Sequence, residues 1–151
     1  MLNKKIRLVT ILILTLIGVF IIDQNIKTLF VEGWRYYTDC VDLILVYNKG
    51  VAFSMFAFLD GWLKYIQLVL ILGILAYIIY LREVCYAFPA GLMLGGAFSN
   101  IYDRFTHEGV VDMVYWHCGF NFAIFNFADV MIDVAVVWFL VLNFKPKLCK
   151  K

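Results

Sequence analysis

Two aspartates carry the strongest chemical signal in this sequence. Asp129 lies between the segment Phe125–Ala128 and an apolar run that begins at Val130. A charge at the mouth of a membrane helix is unfavourable by on the order of several kcal/mol unless it is paired, protonated or hydrated, so it marks a functional site by default. Asp112 is a possible partner. Two carboxylates about 3 Å apart hold a proton between them, so one can activate a water while the other protonates or polarises a carbonyl.

The same carboxylates allow other interpretations. Asp133 follows Asp129 by four residues and shares its helix face, which makes the two a rival pair, although Asp133 lies about one turn deeper, where water is scarcer. Any single aspartate could instead cap a helix or pair with Arg104, Lys27 or Lys49. Clustering favours a site over separate caps, because five aspartates gather at the same ends of the expected spans: Asp23, Asp103, Asp112, Asp129 and Asp133.

Other hydrolytic chemistries have no supporting motif. A zinc peptidase of the intramembrane kind needs His-Glu-x-x-His on a helix, and the only histidines are His107 and His117. The only serines, Ser54 and Ser99, lie outside any Gly-x-Ser-x-Gly motif. The four cysteines match no metal or redox spacing. We therefore expect a mechanism that uses neither a metal nor a cofactor.

The composition is that of an integral membrane protein. Hydrophobic residues make up 64% of the 151 residues and charged residues 16%, whereas soluble domains are about 45–50% apolar. A chain of this length is expected to form one domain, residues 1–151, and its net charge of +2 gives no support for nucleic-acid binding. Four segments have the apolar length that a transmembrane helix needs: about 6–22, 62–81, 86–102 and 127–144.

The basic residues predict the orientation in the membrane. Eight of the thirteen lysines and arginines lie at the N-terminus, in the short connection after the second span, or in the C-terminal tail. The positive-inside rule therefore places both termini in the cytoplasm and the aspartates near the outer face.

No small-residue cleavage site follows Ile22, so we interpret the first span as uncleaved. Cys40 and Cys118 fall on the outer side, where a disulfide could join them, and Cys85 and Cys149 fall near the cytoplasmic surface.

The long connection after the first span is not a simple linker. Asp42–Tyr47 has the composition of a short strand, and Asn48-Lys49-Gly50 is typical of a turn. Val51–Leu59 is too short to cross a membrane and too apolar for open water. We expect it to lie on the bilayer surface, where a lipid-linked ligand could be met.

Five sequence blocks together cover nearly the whole chain. They are Asp23-Gln24-Asn25-Ile26-Lys27, Asn48-Lys49-Gly50-Val51-Ala52-Phe53-Ser54, Gly95–Arg104, Val110-Val111-Asp112 and Phe125-Asn126-Phe127-Ala128-Asp129. In their order and in the size of the gaps between them, these blocks resemble the motifs of lipoprotein signal peptidases, the signal peptidase II family.

The resemblance implies an α-helical integral membrane protein, with four transmembrane helices, a small extracytoplasmic β-cradle and a surface helix formed by the connection after the first span. It implies an aspartyl endopeptidase of the bacterial inner membrane that removes signal peptides from diacylglyceryl-modified prolipoproteins, cutting before the lipidated cysteine. Contact with membrane lipid and inhibition by globomycin-type cyclic peptides are implied as well. The catalytic pair corresponds to Asp112 and Asp129. The positions that shape the site or bind substrate are Asn48, Gly50, Asn100, Arg104, Asn126 and Ala128, with Asp23 and Lys27 in support.

The sequence departs from the family pattern at three places. Met113 stands where Phe is usual and Ile124 where Pro often occurs, and both changes are apolar. Asp133 lies outside the family motif and either tunes the protonation of Asp129 or meets a polar partner across the bundle. A proton relay through Asp23, Asp129 and Asp133 would need carboxylates spaced through the membrane, whereas these gather at one face. A scaffold without catalytic activity leaves the asparagine and aspartate placements unexplained.

Overall fold

The computed structural model describes residues 3–50 and 60–149. Four long helices dominate this part of the chain: α1 (Lys4–Val31), α2 (Asp60–Leu81), α3 (Ala87–Thr106) and α4 (Phe127–Phe144). Each is long and apolar enough to cross a membrane. The four expected spans are confirmed, and the fold is that of a multi-pass membrane protein.

The first helix is longer than the sequence indicated. α1 continues past Ile22 to Val31, and the charged residues Asp23 and Lys27 lie within it. They stand one helical turn apart, form an ion pair of 2.7 Å and are 0% and 2% exposed. The charges that appeared to end the span are therefore part of the helix interface, because each has its partner inside the protein.

The third helix is central. α3 packs against α1, α4 and α2, and 61% of its apolar stretch is buried, compared with 22% for α1 and 17% for each of the others. Small residues allow the close approach. A Cβ atom on Gly95 would lie 2.7 Å from the carbonyl oxygen of Leu16, and one on Gly96 would lie 2.6 Å from that of Ala128. Contacts of this kind let membrane helices pack backbone to backbone.

The outer surface of the bundle is apolar. Leu14 of α1, Val69 of α2 and Val137 of α4 are 66%, 69% and 59% exposed. In water such a surface would be an aggregation liability. In a bilayer it contacts acyl chains, and the helical backbone leaves no polar group unpaired towards them.

A small sheet lies at one end of the bundle. β1 (Val41–Asn48) and β2 (Val110–Trp116) pair antiparallel, with Asn48 opposite Val110 and Asp112 opposite Val46. β1 includes the strand expected at Asp42–Tyr47, and β2 is its partner from the connection between α3 and α4. The apolar segment Val51–Leu59, and with it the surface helix implied by the family resemblance, lies outside the described residues.

Two disulfides close the connections. Cys40 is joined to Cys118 beyond the paired ends of β1 and β2, the pairing that the sequence allowed. Cys85 is joined to Cys149, which links the turn before α3 to the tail after α4. The second pairing was not expected, because the sequence offered only a common location near one membrane surface.

Replacing Gly95 with alanine should destabilise the bundle. The added Cβ would meet backbone atoms of Leu16, which cannot rotate away as a side chain could, and overpacking of this kind lowers stability by about 1–3 kcal/mol. Gly73→Ala is the matched control, because nothing lies within 4 Å of a Cβ atom there. Thermal unfolding in detergent should give a lower midpoint for Gly95→Ala than for Gly73→Ala. Equal midpoints would contradict the close contact between α1 and α3.

Candidate active site

One cavity beside the sheet holds both aspartates of the expected pair. It has a volume of about 290 Å³ and is bounded by α2, α3, α4, the two strands and the segment before α4. Its apolar wall includes Phe122, Ile124, Phe125 and Ile132. Its polar wall is formed by Asn48, Gln67, Asn100, Arg104, Asp112, Asp129 and Asp133.

Asn126 links the two aspartates. Its side-chain nitrogen Nδ2 donates to Asp112 Oδ1 at 2.7 Å, and its backbone N–H donates to Asp129 Oδ2 at 3.1 Å. Its side-chain oxygen accepts the backbone N–H of Asp129 at 2.9 Å. Asn126 and Asp129 thereby form a capping box at the start of α4. The geometry that begins the helix also fixes Asp129 relative to Asp112.

Each carboxylate also has a second asparagine donor. Asn48 Nδ2 donates to Asp112 Oδ2 at 3.0 Å, and Asn100 Nδ2 donates to Asp129 Oδ1 at 2.8 Å. All four carboxylate oxygens therefore accept a hydrogen bond from an asparagine. The side chains are held in one orientation, and no lysine or arginine among the described residues forms an ion pair with either of them.

The pKa of Asp112 is shifted towards neutral pH. Burial raises its pKa from 3.8 to about 7. Loss of surrounding water is the largest cause, the hydrogen bond from Asn48 opposes it, and the negative charge of Asp129 raises the pKa further. A carboxyl group with a pKa near 7 can hold or release a proton at neutral pH, as acid–base catalysis requires.

A buried ion cluster supports the site from α1. Lys27 Nζ lies 2.7 Å from Asp23 Oδ2 and 2.6 Å from Asp103 Oδ2. It also donates to Asn100 Oδ1 at 2.9 Å. Because the oxygen of Asn100 accepts from Lys27, its amide nitrogen is directed at Asp129. Lys27 is thus a positioning residue that acts through Asn100.

The two aspartates of this cluster hold neighbouring elements in place. Asp23 Oδ1 accepts the backbone N–H of Ala128 at 2.8 Å, which anchors the first turn of α4. Asp103 Oδ2 accepts the backbone N–H of Val111 at 3.1 Å, next to Asp112 on β2. Ala128 contributes through its backbone, and its small side chain admits the close contact with Gly96.

Arg104 and Gly50 shape the end of β1. Arg104 donates to the backbone carbonyls of Lys49, at 3.2 Å, and of Gly50. The backbone N–H of Gly50 donates to Asn48 Oδ1 at 2.9 Å. Because this bond occupies the oxygen of Asn48, its amide nitrogen is the group that faces Asp112.

The structure brings every site residue expected from the sequence to this cavity or to its supporting network. Asp103, which the sequence placed in the aspartate cluster without a role of its own, belongs to this network. Gln24, whose Nε2 donates to Asp103 Oδ1 at 2.8 Å, and Gln67 in the cavity wall were missed as parts of it. A lone glutamine within an apolar span was the signal that could have identified Gln67. Asp133 lines the same cavity. The described residues contain no group of three His, Cys, Asp or Glu side chains placed to hold a metal.

The chain matches one protein family over most of its length. The family model described as signal peptidase (SPase) II matches residues 15–145. The lipoprotein signal peptidase of Sulfurimonas denitrificans is 78% identical over 98% of this chain and 97% of the relative. That of Sulfurovum sp. is 61% identical over 91% and 96%, and that of Helicobacter pylori strain P12 is 50% identical over 87% and 88%. The chain belongs to the signal peptidase II family.

Membership in the signal peptidase II family makes the protein a membrane-embedded peptidase. Two solved bacterial membrane enzymes share its fold. One has a TM-score of 0.78 at 22% identity, over 92% of this chain and 90% of the other. The second has a TM-score of 0.76 at 20% identity, over 88% and 92%. At this identity the likeness supports the helical bundle and the small sheet, and the site rests on the contacts described above.

Lys27→Met should strongly destabilise this signal peptidase II. The substitution leaves Asp23 and Asp103 buried together without their cation, and removal of one partner from a buried ion pair lowers stability by about 3–5 kcal/mol. Lys4→Met is the matched control, because its ion pair with Glu83 is exposed and such pairs contribute about 0–1 kcal/mol. Unfolding in detergent measures both. Equal losses would show that the cluster does not hold α1 to α3.

Proposed function

We propose that this protein is an aspartyl endopeptidase of the bacterial inner membrane. It removes signal peptides from prolipoproteins that carry a diacylglyceryl group, cutting before the lipidated cysteine. The observation that carries the proposal is the bridge at Asn126, because it presents Asp112 and Asp129 to one cavity. The names of the relatives, lipoprotein signal peptidases, support the substrate class.

Asp129 acts as the general base in the proposed reaction. It is half-buried, whereas Asp112 is 2% exposed, so a water in the cavity reaches Asp129 more readily. Asp129 takes a proton from this water, and the oxygen attacks the carbonyl carbon of the scissile peptide bond. Asp112, which holds a proton near neutral pH because burial raises its pKa, donates it to the carbonyl oxygen.

Collapse of the tetrahedral intermediate completes the reaction. The proton on Asp129 passes to the leaving amine, which becomes the new N-terminus of the lipidated cysteine. Asp112 takes back the proton from the hydroxyl group as the carboxylic acid product forms. The pair returns to its starting state, and neither a protein nucleophile nor a metal takes part.

The surroundings of the pair suit a substrate that arrives from the bilayer. Phe122, Ile124 and Ile132 give the cavity an apolar wall beside the carboxylates, which a diacylglyceryl group can contact. We place the cavity near the extracytoplasmic face, with both termini in the cytoplasm, because the basic residues concentrate at the opposite ends of the spans. Membrane lipid is then a permanent neighbour, and cyclic peptides of the globomycin type are expected to occupy the cavity as inhibitors.

Asp112→Asn and Asp129→Asn should each abolish cleavage of a diacylglyceryl-modified prolipoprotein. Asparagine has nearly the same shape and keeps an acceptor oxygen, so the folded protein should remain while proton transfer, which contributes about 10²–10⁴-fold, is lost. Asp133→Asn is the matched control and should retain turnover. An unlipidated twin of the substrate tests lipid dependence in the same assay. Near-normal turnover in Asp112→Asn or in Asp129→Asn would contradict the assignment of these two residues as the catalytic dyad. Complete loss of turnover in Asp133→Asn would favour the pair Asp129 and Asp133.

The rate of cleavage should fall as pH rises through about 7. The reaction needs the proton on Asp112, and a group with this pKa loses its proton over that range. Asn48 donates to the carboxylate and so favours the ionised form. Asn48→Ala should therefore raise the pKa of Asp112 and move the fall in rate to higher pH. Initial rates between about pH 5 and 9 measure the shift. Movement to lower pH would show that Asp112 is not the acid.

A further inference from the structure

Two polar side chains in the cavity have no partner within the described residues. The side-chain oxygen Oε1 of Gln67, on α2, is buried and accepts no hydrogen bond there. Asp133, on α4, forms neither a hydrogen bond nor an ion pair within the same part of the chain. Both line the cavity that holds Asp112 and Asp129. An unpartnered carboxylate within a span is unfavourable, and it points to a function that uses it.

Gln67 and Asp133 both lie well inside their helices rather than at the helix ends. Both α2 and α4 begin on the side of the molecule that carries the sheet. Counted from the first residue of each helix, Gln67 lies about 10 Å along α2 and Asp133 about 9 Å along α4, whereas Asp129 lies only about 3 Å along it. Within the described residues the cavity therefore has two acceptors without a partner, on different walls, and Asp133 lies about one turn further along α4 than Asp129.

These two groups need hydrogen-bond donors from whatever occupies the cavity. The amide oxygen of Gln67 is an acceptor, and the carboxyl group of Asp133 has an acceptor oxygen whether or not it carries a proton. A peptide in a regular helix cannot supply donors, because its N–H groups are already paired along the helix. An unwound segment has free N–H groups, and away from water each must find an acceptor.

We propose that Gln67 and Asp133 bind the main chain of the substrate on the signal-peptide side of the scissile bond. This inference rests on the proposed peptidase function, in which the signal peptide reaches the dyad from the bilayer and is unwound at the cut. The residues before the cut lie deeper than the scissile bond, as Asp133 lies further along α4 than Asp129. Their main-chain N–H groups donate to Gln67 Oε1 and to the Asp133 carboxyl group.

A binding role and a structural role predict opposite effects of an apolar replacement at Asp133. A structural carboxylate would lose partners, so its removal would lower the unfolding midpoint. Within the part of the chain that the structure describes, Asp133 has no partner to lose, and its removal relieves an unfavourable group in a span. Asp133→Leu should therefore unfold at the same temperature as the wild type or higher, while its affinity for substrate falls.

The test uses the full chain in detergent and a synthetic diacylglyceryl lipopeptide that spans the cut. Each peptide nitrogen of the residues just before the cut is methylated in turn, which removes one N–H donor. The enzymes are the wild type, Gln67→Leu, Asp133→Leu and the conservative Asp133→Asn, which keeps an acceptor oxygen. Asn143→Leu is the matched control, because Asn143 is exposed on α4 and does not line the cavity.

Each cavity leucine variant should raise KM about fivefold or more and leave kcat within about twofold, the effect of one lost hydrogen bond. Asn143→Leu should match the wild type, and Asp133→Asn should stay within about twofold of it. For one methylated lipopeptide, methylation should raise the KM of the wild type by the same factor and should not raise the KM of the matching leucine variant any further. A double-mutant cycle requires this result for a direct contact.

Three outcomes would overturn the assignment. An unchanged KM in both leucine variants, with normal cleavage by the wild type, overturns this assignment and leaves the proposed function intact. The assignment is also overturned if, at every methylated position, methylation raises KM by the same factor in the wild type and in each leucine variant. Failure of the wild type to cleave the unmethylated lipopeptide overturns the proposed function, and this assignment with it.

Discussion

A lysine buried between two aspartates is the interaction on which the active end of this molecule depends. An ammonium group has three donors, and in Lys27 they meet Asp23, Asp103 and Asn100 within 2.9 Å. Each of these acceptors holds one further part of the site. Asp23 anchors the first turn of α4, Asp103 anchors β2, and Asn100 orients Asp129. A charge cluster of this kind is stable in a membrane only when every member is satisfied internally, because lipid offers no substitute partner. The positions of both proposed catalytic carboxylates are thus set by one cation.

The helices and strands of the fold can be predicted from local sequence, whereas the contacts between them cannot. Four spans are visible from apolar length alone, and β1 is visible from its composition. The end of α1 is not visible, because Asp23 and Lys27 have the appearance of a boundary until Lys27 is seen to pair with Asp103, far along the chain. The same holds for the site. The resemblance to a family implies Asp112 and Asp129 as the pair, but the role of Asn126 as a bridge depends on the antiparallel register of β1 and β2 and on the start of α4. Gln67 was missed because a lone amide in an apolar span marks a polar position but does not indicate which cavity it faces.

The polar groups near the dyad divide into two kinds. Those around Lys27 and Asn126 are fully hydrogen-bonded within the protein, and their contacts explain how the helices and the sheet meet. Gln67 and Asp133 have no such explanation in the described residues, although they line the same cavity. A proton relay would require carboxylates at successive depths through the bundle. The paired carboxylates lie instead at one end, beside the sheet, which is the arrangement a hydrolase needs if its substrate bond is to meet water at the membrane surface.

Asp129 serves two purposes, since it completes the capping box of α4 and faces the cavity. A capping box commonly has glutamate or glutamine at this position, so the helix end by itself would accept a longer acid. The additional methylene would extend the side chain by about 1.5 Å and displace the carboxylate from the distance that Asn126 sets to Asp112. Capping of α4 therefore requires only an acceptor at this position, whereas the proposed pairing with Asp112 also requires a side chain of this length. The presence of aspartate instead of glutamate indicates that the pairing with Asp112 is the stricter requirement.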